Sequence, residues 1–422
     1  MTHPDFAKIS AHISAENVRD LLVDLVNIPS TTGQENGVAH YLADRMRRSG
    51  MDTDLPLVDA GRPNAVGHRR GRGDGLNLLF TGHMDTSYSG TEEHLAGDGF
   101  KPKAIFRDGW VFGLGASNMK SGLASALIAI EAIIKSGVEL AGDLTFGAVV
   151  GEIEKAAIEE FQGVEYSGYG IGTRHLVTHG VTADFAVLAE PTGMRISIAN
   201  MGCIWLRITV AGTVAHSALA NRPNVVNAIA VMHDLQNDVA RWARDYEAAH
   251  VYMGEHPNVT IAAIRGGAPW RLSRNPHSCS LYLDIRTVPG QTIDGVKRDL
   301  RRVLRAFAER TGTAEPELHV YVSDPPVVLD EKLPIVEAMG KAQKSVTGEA
   351  PAPIIRRPGA DAVHLTVYGV PCVAFGPGGR MQPDAKGASM HAFGEHVLVE
   401  DCVAAAKIYL ATALDLCSRK AP

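Results

Sequence analysis

The chain has 422 residues, a length at which two domains are the default expectation. Its 45% hydrophobic and 21% charged content excludes a disordered chain or a collagen-like repeat, and a formal charge of −6 gives no electrostatic reason to expect nucleic acid as a partner. Five scattered cysteines without a Cys-x-x-Cys pair, a start without the apolar core of a signal peptide, and no apolar run near the roughly 18–20 residues of a membrane span point to a cytoplasmic protein without disulfides or a membrane partner.

In chain order, Ala15–Val26 and Asn36–Ser49 carry apolar residues at helical spacing, joined by a Pro29–Gly33 loop, with Gly50 as the stop of the second helix. Leu76–Thr81 is a short apolar run that predicts a buried strand, ended by Gly82 and His83. Ser121–Lys135 has helical period, and Leu144–Val150, Phe185–Ala189 and Val370–Phe375 read as further buried strands. Strands separated by helices predict an α/β domain whose mixed sheet is flanked by helices, with ligands gathering beyond the strand ends.

The middle of the chain differs. Cys203–Ala211, Asn258–Arg265, Cys279–Arg286 and Glu317–Val322 have strand patterns, while Asn224–Arg241 and Thr292–Thr311 have helical ones. The resulting β-α-β-β-α-β order is that of a ferredoxin-like α+β domain. It divides the chain into a discontinuous first domain, residues 1–195 and 326–422, and an insertion at 196–325.

Several motifs close these strands. His83 can offer a neutral imidazole to a metal, and Asp85 can hold its other ring nitrogen. The glycine-rich run Gly113–Gly122 opens a helix, with Asn118 placed as its cap, and matches neither common nucleotide-binding fingerprint. Glu152-Ile153-Glu154 follows one strand and Glu190-Pro191-Thr192 another. Gly359-Ala360-Asp361-Ala362, Gly376-Pro377-Gly378-Gly379 and the run from His391 to Glu395 complete the series.

In this order the motifs resemble the aminoacylase/carboxypeptidase-type metallohydrolases, a family that includes acetylornithine deacetylase, succinyl-diaminopimelate desuccinylase and glutamate carboxypeptidase. The resemblance runs from Ile28-Pro29-Ser30 to His391 and includes the insertion, where Gly212–Ser217, Asn227-Ala228-Ile229 and Leu283-Asp284-Ile285-Arg286 match a lid and dimerisation domain. It implies two metal ions sharing an aspartate, one held by His83 and Glu190, the other by a second glutamate and His391. It implies Glu152 as general base, Asp85 as the residue orienting His83, and His216 as an oxyanion-stabilising group reaching a neighbouring subunit.

The sequence departs from that pattern at two ligand positions, where Asn118 replaces the bridging aspartate and Ile153 the second ligand glutamate. Two dications close together need several carboxylates, so the expectation is one divalent ion per chain (manganese or zinc, with cobalt as a further option) held by His83, Asn118 and Glu190. A second ion, with His391 and a shifted register that brings in Glu154, is the less favoured arrangement. Arg286 and Arg274 are candidate substrate-binding residues, because guanidinium groups match carboxylates bidentately, and Asn227 of the lid motif is a third candidate.

The expected function is metal-dependent hydrolysis of a C–N bond in a small, carboxylate-bearing substrate by a homodimer or higher homo-oligomer formed through the lid domain. The bond is either an amide, as in an N-acyl amino acid or dipeptide, or an aryl amine of the 5-nitroanthranilate type. A binding protein that retained the fold is the alternative.

Overall fold

The computed structural model describes residues 3–382 and 394–421 and divides into two compact units. The first comprises Met1–Ile198, Leu329–Arg356 and Ala360–Pro422; the second comprises Ala199–Val328 and Arg357–Gly359. The expected insertion at 196–325 thus sits three residues early at each end, and a short later segment joins the second unit.

The first unit is built on a mixed sheet. Leu78–His83 lies between Leu144–Val149 and Phe185–Leu188 and runs parallel to both, and Cys372–Ala374 continues the parallel set beside Phe185–Leu188. Ala65–Arg69 and Asp52–Asp54 extend it antiparallel on one side. Every residue of the Leu78–His83 and Leu144–Val149 strands is buried, which is why they read as unbroken apolar runs rather than alternating ones.

The strand expected at Leu76–Thr81 starts two residues later and continues through His83, because Gly82 and His83 pair with Ala148 and Val149. A Cβ at Gly82 would strike the end of the Met119 side chain, which would have to shift to make room. The Ala15–Val26 and Asn36–Ser49 helices keep their expected bounds, the first with a Ser14 capping box and the second with left-handed Gly50 at its end. The Ser121–Ser136 helix packs with Ala15–Val26 and Val399–Leu416 in one continuous apolar core.

The second unit has four antiparallel strands in the spatial order Asn258–Gly266, Ser278–Thr287, Gly202–Ala211, Glu317–Asp324, the ferredoxin-like arrangement. Its helices, Ala228–Ala249 and Ile293–Thr311, pack with each other around a core of their own. The first helix starts after Asn227 rather than at Asn224 and runs eight residues past Arg241, because the Asn227 side chain accepts from the Ile229 and Ala230 N–H groups and caps it there. Among the described residues, no helix is long and apolar enough to cross a membrane.

Candidate metal centre

Three parallel neighbours deliver the chemistry. His83 is the last residue of its strand, Glu152 follows Val149 by three residues, and Glu190 follows Leu188 by two. Parallel strands end on the same edge of the sheet, so these side chains meet without any contribution from the second unit. One ligand atom from each of His83, Glu152 and Glu190 lies within 4.8 Å of the others, and all three residues are buried. His83 Nε2 stands 3.5 Å from Glu152 Oε2, 3.6 Å from Glu190 Oε1 and 3.3 Å from Asn118 Oδ1.

The other imidazole nitrogen fixes the tautomer. His83 Nδ1 lies 2.9 Å from the backbone carbonyl of Asp85, a bond that places a proton on Nδ1 and leaves the Nε2 lone pair for a cation. Asp85 thus holds the second ring nitrogen through its backbone, and its carboxylate stands 3.5 Å from Nδ1. That carboxylate accepts from Thr32 Oγ1 and from the Glu152 and Ile153 N–H groups, so one side chain ties the His83 loop to the Glu152 turn. Burial would raise the Asp85 carboxyl, but His83 and these backbone donors outweigh it and hold the group below its usual range.

Burial alone would lower His83, yet Glu152, Asp85 and Glu190 together carry it well above an ordinary imidazole. Glu152 is pushed well above the usual carboxyl range, first by burial and then by Glu190 and Asp361. Asp361, buried beside Thr173 and accepting its hydroxyl at 2.6 Å, is pushed up to about 7, again chiefly by burial. A crowd of buried acids around one imidazole is an arrangement that a divalent ion relieves.

Asn118 does not cap the following helix. It sits in a short turn with non-helical angles, its N–H donating to Glu395 Oε2 at 2.9 Å while its amide oxygen faces His83. Ser117 donates to the same Glu395 oxygen, which fixes the loop against the chain's C-terminal part. Ile153 is buried and offers no donor atom, while Glu154 is half-buried and lies outside the His83 group. His391 lies outside the described residues.

A second buried network frames Glu152. Glu35 accepts from Arg62 Nε at 2.9 Å and Nη2 at 2.6 Å, and its carboxylate also takes the Gly33 and Gly151 N–H groups. Arg62 reaches on to the Ser167 carbonyl at 3.0 Å and the Val164 carbonyl at 3.3 Å. The pair thus holds Gly151, the residue before Glu152, and the segment that follows it.

The donors fit a divalent ion: an imidazole nitrogen, an amide oxygen, and a Glu190 oxygen that is buried with no hydrogen-bond partner. Sequence reasoning missed Arg356, whose Nη2 donates to Glu190 Oε2 at 2.8 Å, and gave no role to Asp361 or Glu395. The Gly359–Ala362 motif was the available signal for Asp361; nothing local marks Arg356.

The candidate residues of the second unit have other occupations. Asn227, expected to touch substrate, caps a helix. Arg286 grips Asp284 through Nε and Nη2, each at 2.8 Å, so the fork expected for a substrate carboxylate already holds one within the chain. Arg274 and His216 are exposed and bridge each other's backbone, and His216 Nδ1 accepts from the Ala218 N–H. Asn275, also missed, is buried and donates to the Thr213 and Val226 carbonyls, bracing the loop that carries His216.

A model of Peptidase family M20/M25/M40 matches residues 79–415. The N-formyl-4-amino-5-aminomethyl-2-methylpyrimidine deformylase of Bacillus subtilis (strain 168) is 26% identical over 409 residues, covering 91% of this chain and 90% of its own. The succinyl-diaminopimelate desuccinylase of Gluconacetobacter diazotrophicus is 29% identical over 398 residues, covering 92% and 94%. Human carnosine dipeptidase 1 shares the fold at a TM-score of 0.73 and 14% identity, with 99% of this chain and 100% of that one covered.

Proposed function

Because the chain belongs to the M20/M25/M40 peptidase family, whose members are metal-dependent hydrolases of C–N bonds, we propose that it removes an acyl group from the nitrogen of a small substrate at a one-metal site. The observation that carries this reading is the convergence of His83 Nε2 with the Glu152 and Glu190 carboxylates at adjacent strand ends, Glu190 Oε1 being buried and unpartnered. Retention of this buried set speaks against a fold kept only for binding, since orphaned buried acids destabilise unless they serve a ligand. The substrate class follows the relatives: one name describes removal of a formyl group, the other removal of a succinyl group.

His83, Glu190 and Asn118 would hold the ion, which would supply Lewis-acid polarisation and lower the pKa of water beside it. Glu152 takes the proton from the attacking water. Burial and the neighbouring acids raise its carboxyl above an exposed one, which favours its taking up that proton. The same group then gives the proton to the departing nitrogen as the C–N bond breaks, leaving a carboxylic acid and an amine. Asp85 keeps Glu152 and His83 in register, and Asn118 and Ile153 in place of carboxylates favour one ion over two.

The second unit supports a homodimer. Its edge strand Asn258–Gly266 is exposed along almost its whole length, with Ile261 at 42% and Ile264 at 51% exposure, and a partner strand or sheet face would cover it. His216, exposed on the same unit, is then available to a neighbouring subunit.

The test is to strip the protein with chelator, reload it with manganese, zinc or cobalt, and assay N-formyl and N-succinyl amines beside 5-nitroanthranilate. Metal-dependent release of amine from the acyl substrates is expected. Full turnover in the stripped protein, or binding without turnover under any metal, would remove the reading; turnover of 5-nitroanthranilate alone would move the chemistry to an aromatic ring.

A further inference from the structure

Glu190 has two oxygens in different circumstances. Oε2 accepts from Arg356 Nη2 at 2.8 Å, with the two side chains 0% and 10% exposed, so the contact is a desolvated, charge-assisted hydrogen bond. Oε1 is equally buried, has no hydrogen-bond partner, and faces His83 Nε2 at 3.6 Å. The carboxylate is therefore divided between a fixed cation on one side and the ligand cluster on the other.

We propose that Arg356 is a positioning residue that makes Glu190 a one-oxygen ligand and places a permanent positive charge beside the ion. The proposal rests on the one-metal reading above and goes beyond it. A carboxylate with both oxygens free can chelate an ion and raise its coordination number. With Oε2 held by guanidinium, only Oε1 can reach the ion, and a coordination position stays open for water or substrate. The guanidinium also draws charge from the carboxylate, so the ion receives less electron density and polarises its ligands more strongly. It further opposes a second dication, in the same direction as the neutral Asn118 and Ile153. Ile354–Arg356 is a strand paired to Ser197–Asn200, so a sheet element rather than a loop holds the arginine backbone.

The test uses the full-length protein loaded with cobalt, whose visible absorption weakens as coordination number rises, together with competitive titration of cobalt affinity. Arg356→Met and Arg356→Gln should each bind cobalt at least tenfold more tightly, with weaker visible absorption, and lose at least tenfold in kcat with less than a threefold change in KM. Arg356→Lys should return affinity and spectrum toward the parent, because it restores the charge. A crystal structure of the zinc-loaded parent should show Glu190 bound through one oxygen with Arg356 on the other. An unchanged spectrum and affinity in a folded Met or Gln variant, weaker binding in all three variants, or a two-oxygen Glu190 in the parent would overturn the proposal while leaving the metal-hydrolase reading intact. A parent that binds no cobalt and no zinc would overturn both.

Discussion

Replacing Glu35 by glutamine keeps its size and removes its charge, and the structure sets how severe that should be. Glu35 is 0% exposed and its partner Arg62 1%, so neither can turn to water when the pair is broken. The carboxylate accepts four hydrogen bonds, two from Arg62 and one each from Gly33 and Gly151. An amide offers one acceptor oxygen and turns its NH2 group toward donors, leaving a buried guanidinium uncompensated. Removing one partner of a buried pair costs about 3–5 kcal/mol. For a unit of this size that corresponds to roughly 6–10 °C in thermal midpoint. Because the Gly151 N–H loses its anchor, Glu152 should also be less well placed and turnover should fall. Scanning calorimetry on Glu35→Gln, Arg62→Met and the double variant measures this directly. The double variant should be more stable than the sum of the single losses, by about 2 kcal/mol or more. Additive losses, or a Glu35→Gln midpoint within about 1 °C of the parent, would refute the account of Glu35 and Arg62 as a coupled clamp.

Elemental analysis of metal-loaded protein should return one ion per chain, and the Asn118→Asp/Ile153→Glu variant should take up a second; two full ions in the parent would count against the charge reasoning. Glu152→Gln should keep its metal and lose turnover by about 10²–10⁴-fold, as measured by steady-state kinetics. Burial lowers Lys120 to about 7, where its ammonium donates to the Leu25 and Ile28 carbonyls. The folded value lies below that of the unfolded chain, so between about pH 7 and 10 the unfolded state binds more protons and stability rises with pH. Thermal midpoints across that range should climb in the parent and flatten in Lys120→Met; parallel curves would show that Lys120 does not titrate there. If His216 acts across a dimer, mixing His216→Ala with Glu152→Gln protein should restore activity in hybrids, and no recovery after proven subunit exchange would place its action within one chain.

The helices Ala15–Val26 and Asn36–Ser49 were legible to the residue, because their apolar spacing and, for the second, the Gly50 stop coincide with the structural boundaries. The Leu78–His83 strand was less so: Gly82 and His83 read as a stop by composition but are paired and buried. His83, Glu152 and Glu190 each lie just beyond an apolar run, a weak signal alone, and could be found because the order of these motifs resembles a known metallohydrolase family. Arg356 could not, since its partner Glu190 lies 166 residues away and no local pattern joins them. The same holds for Glu395, which meets Asn118 across 277 residues, and for the Glu35–Arg62 clamp, which becomes visible only when the loops around Gly151 and Ser167 are folded over it. Arg286 and Asn227 show the converse, where residue types suited to substrate were already engaged by Asp284 and by a helix end.

Asp85 sets a limit on how this centre can be retuned. Its backbone carbonyl sets the proton on His83, while its carboxylate carries the two amides at the start of the Glu152 turn. An exchange of the side chain leaves that carbonyl in place but removes the acceptor for the Glu152 and Ile153 N–H groups and the carboxylate 3.5 Å from His83 Nδ1, so it still reaches both halves of the proposed catalyst. Adaptation to a new substrate therefore has an easier path through Asn118, whose amide oxygen faces His83, and a library built for altered specificity gains by leaving position 85 untouched.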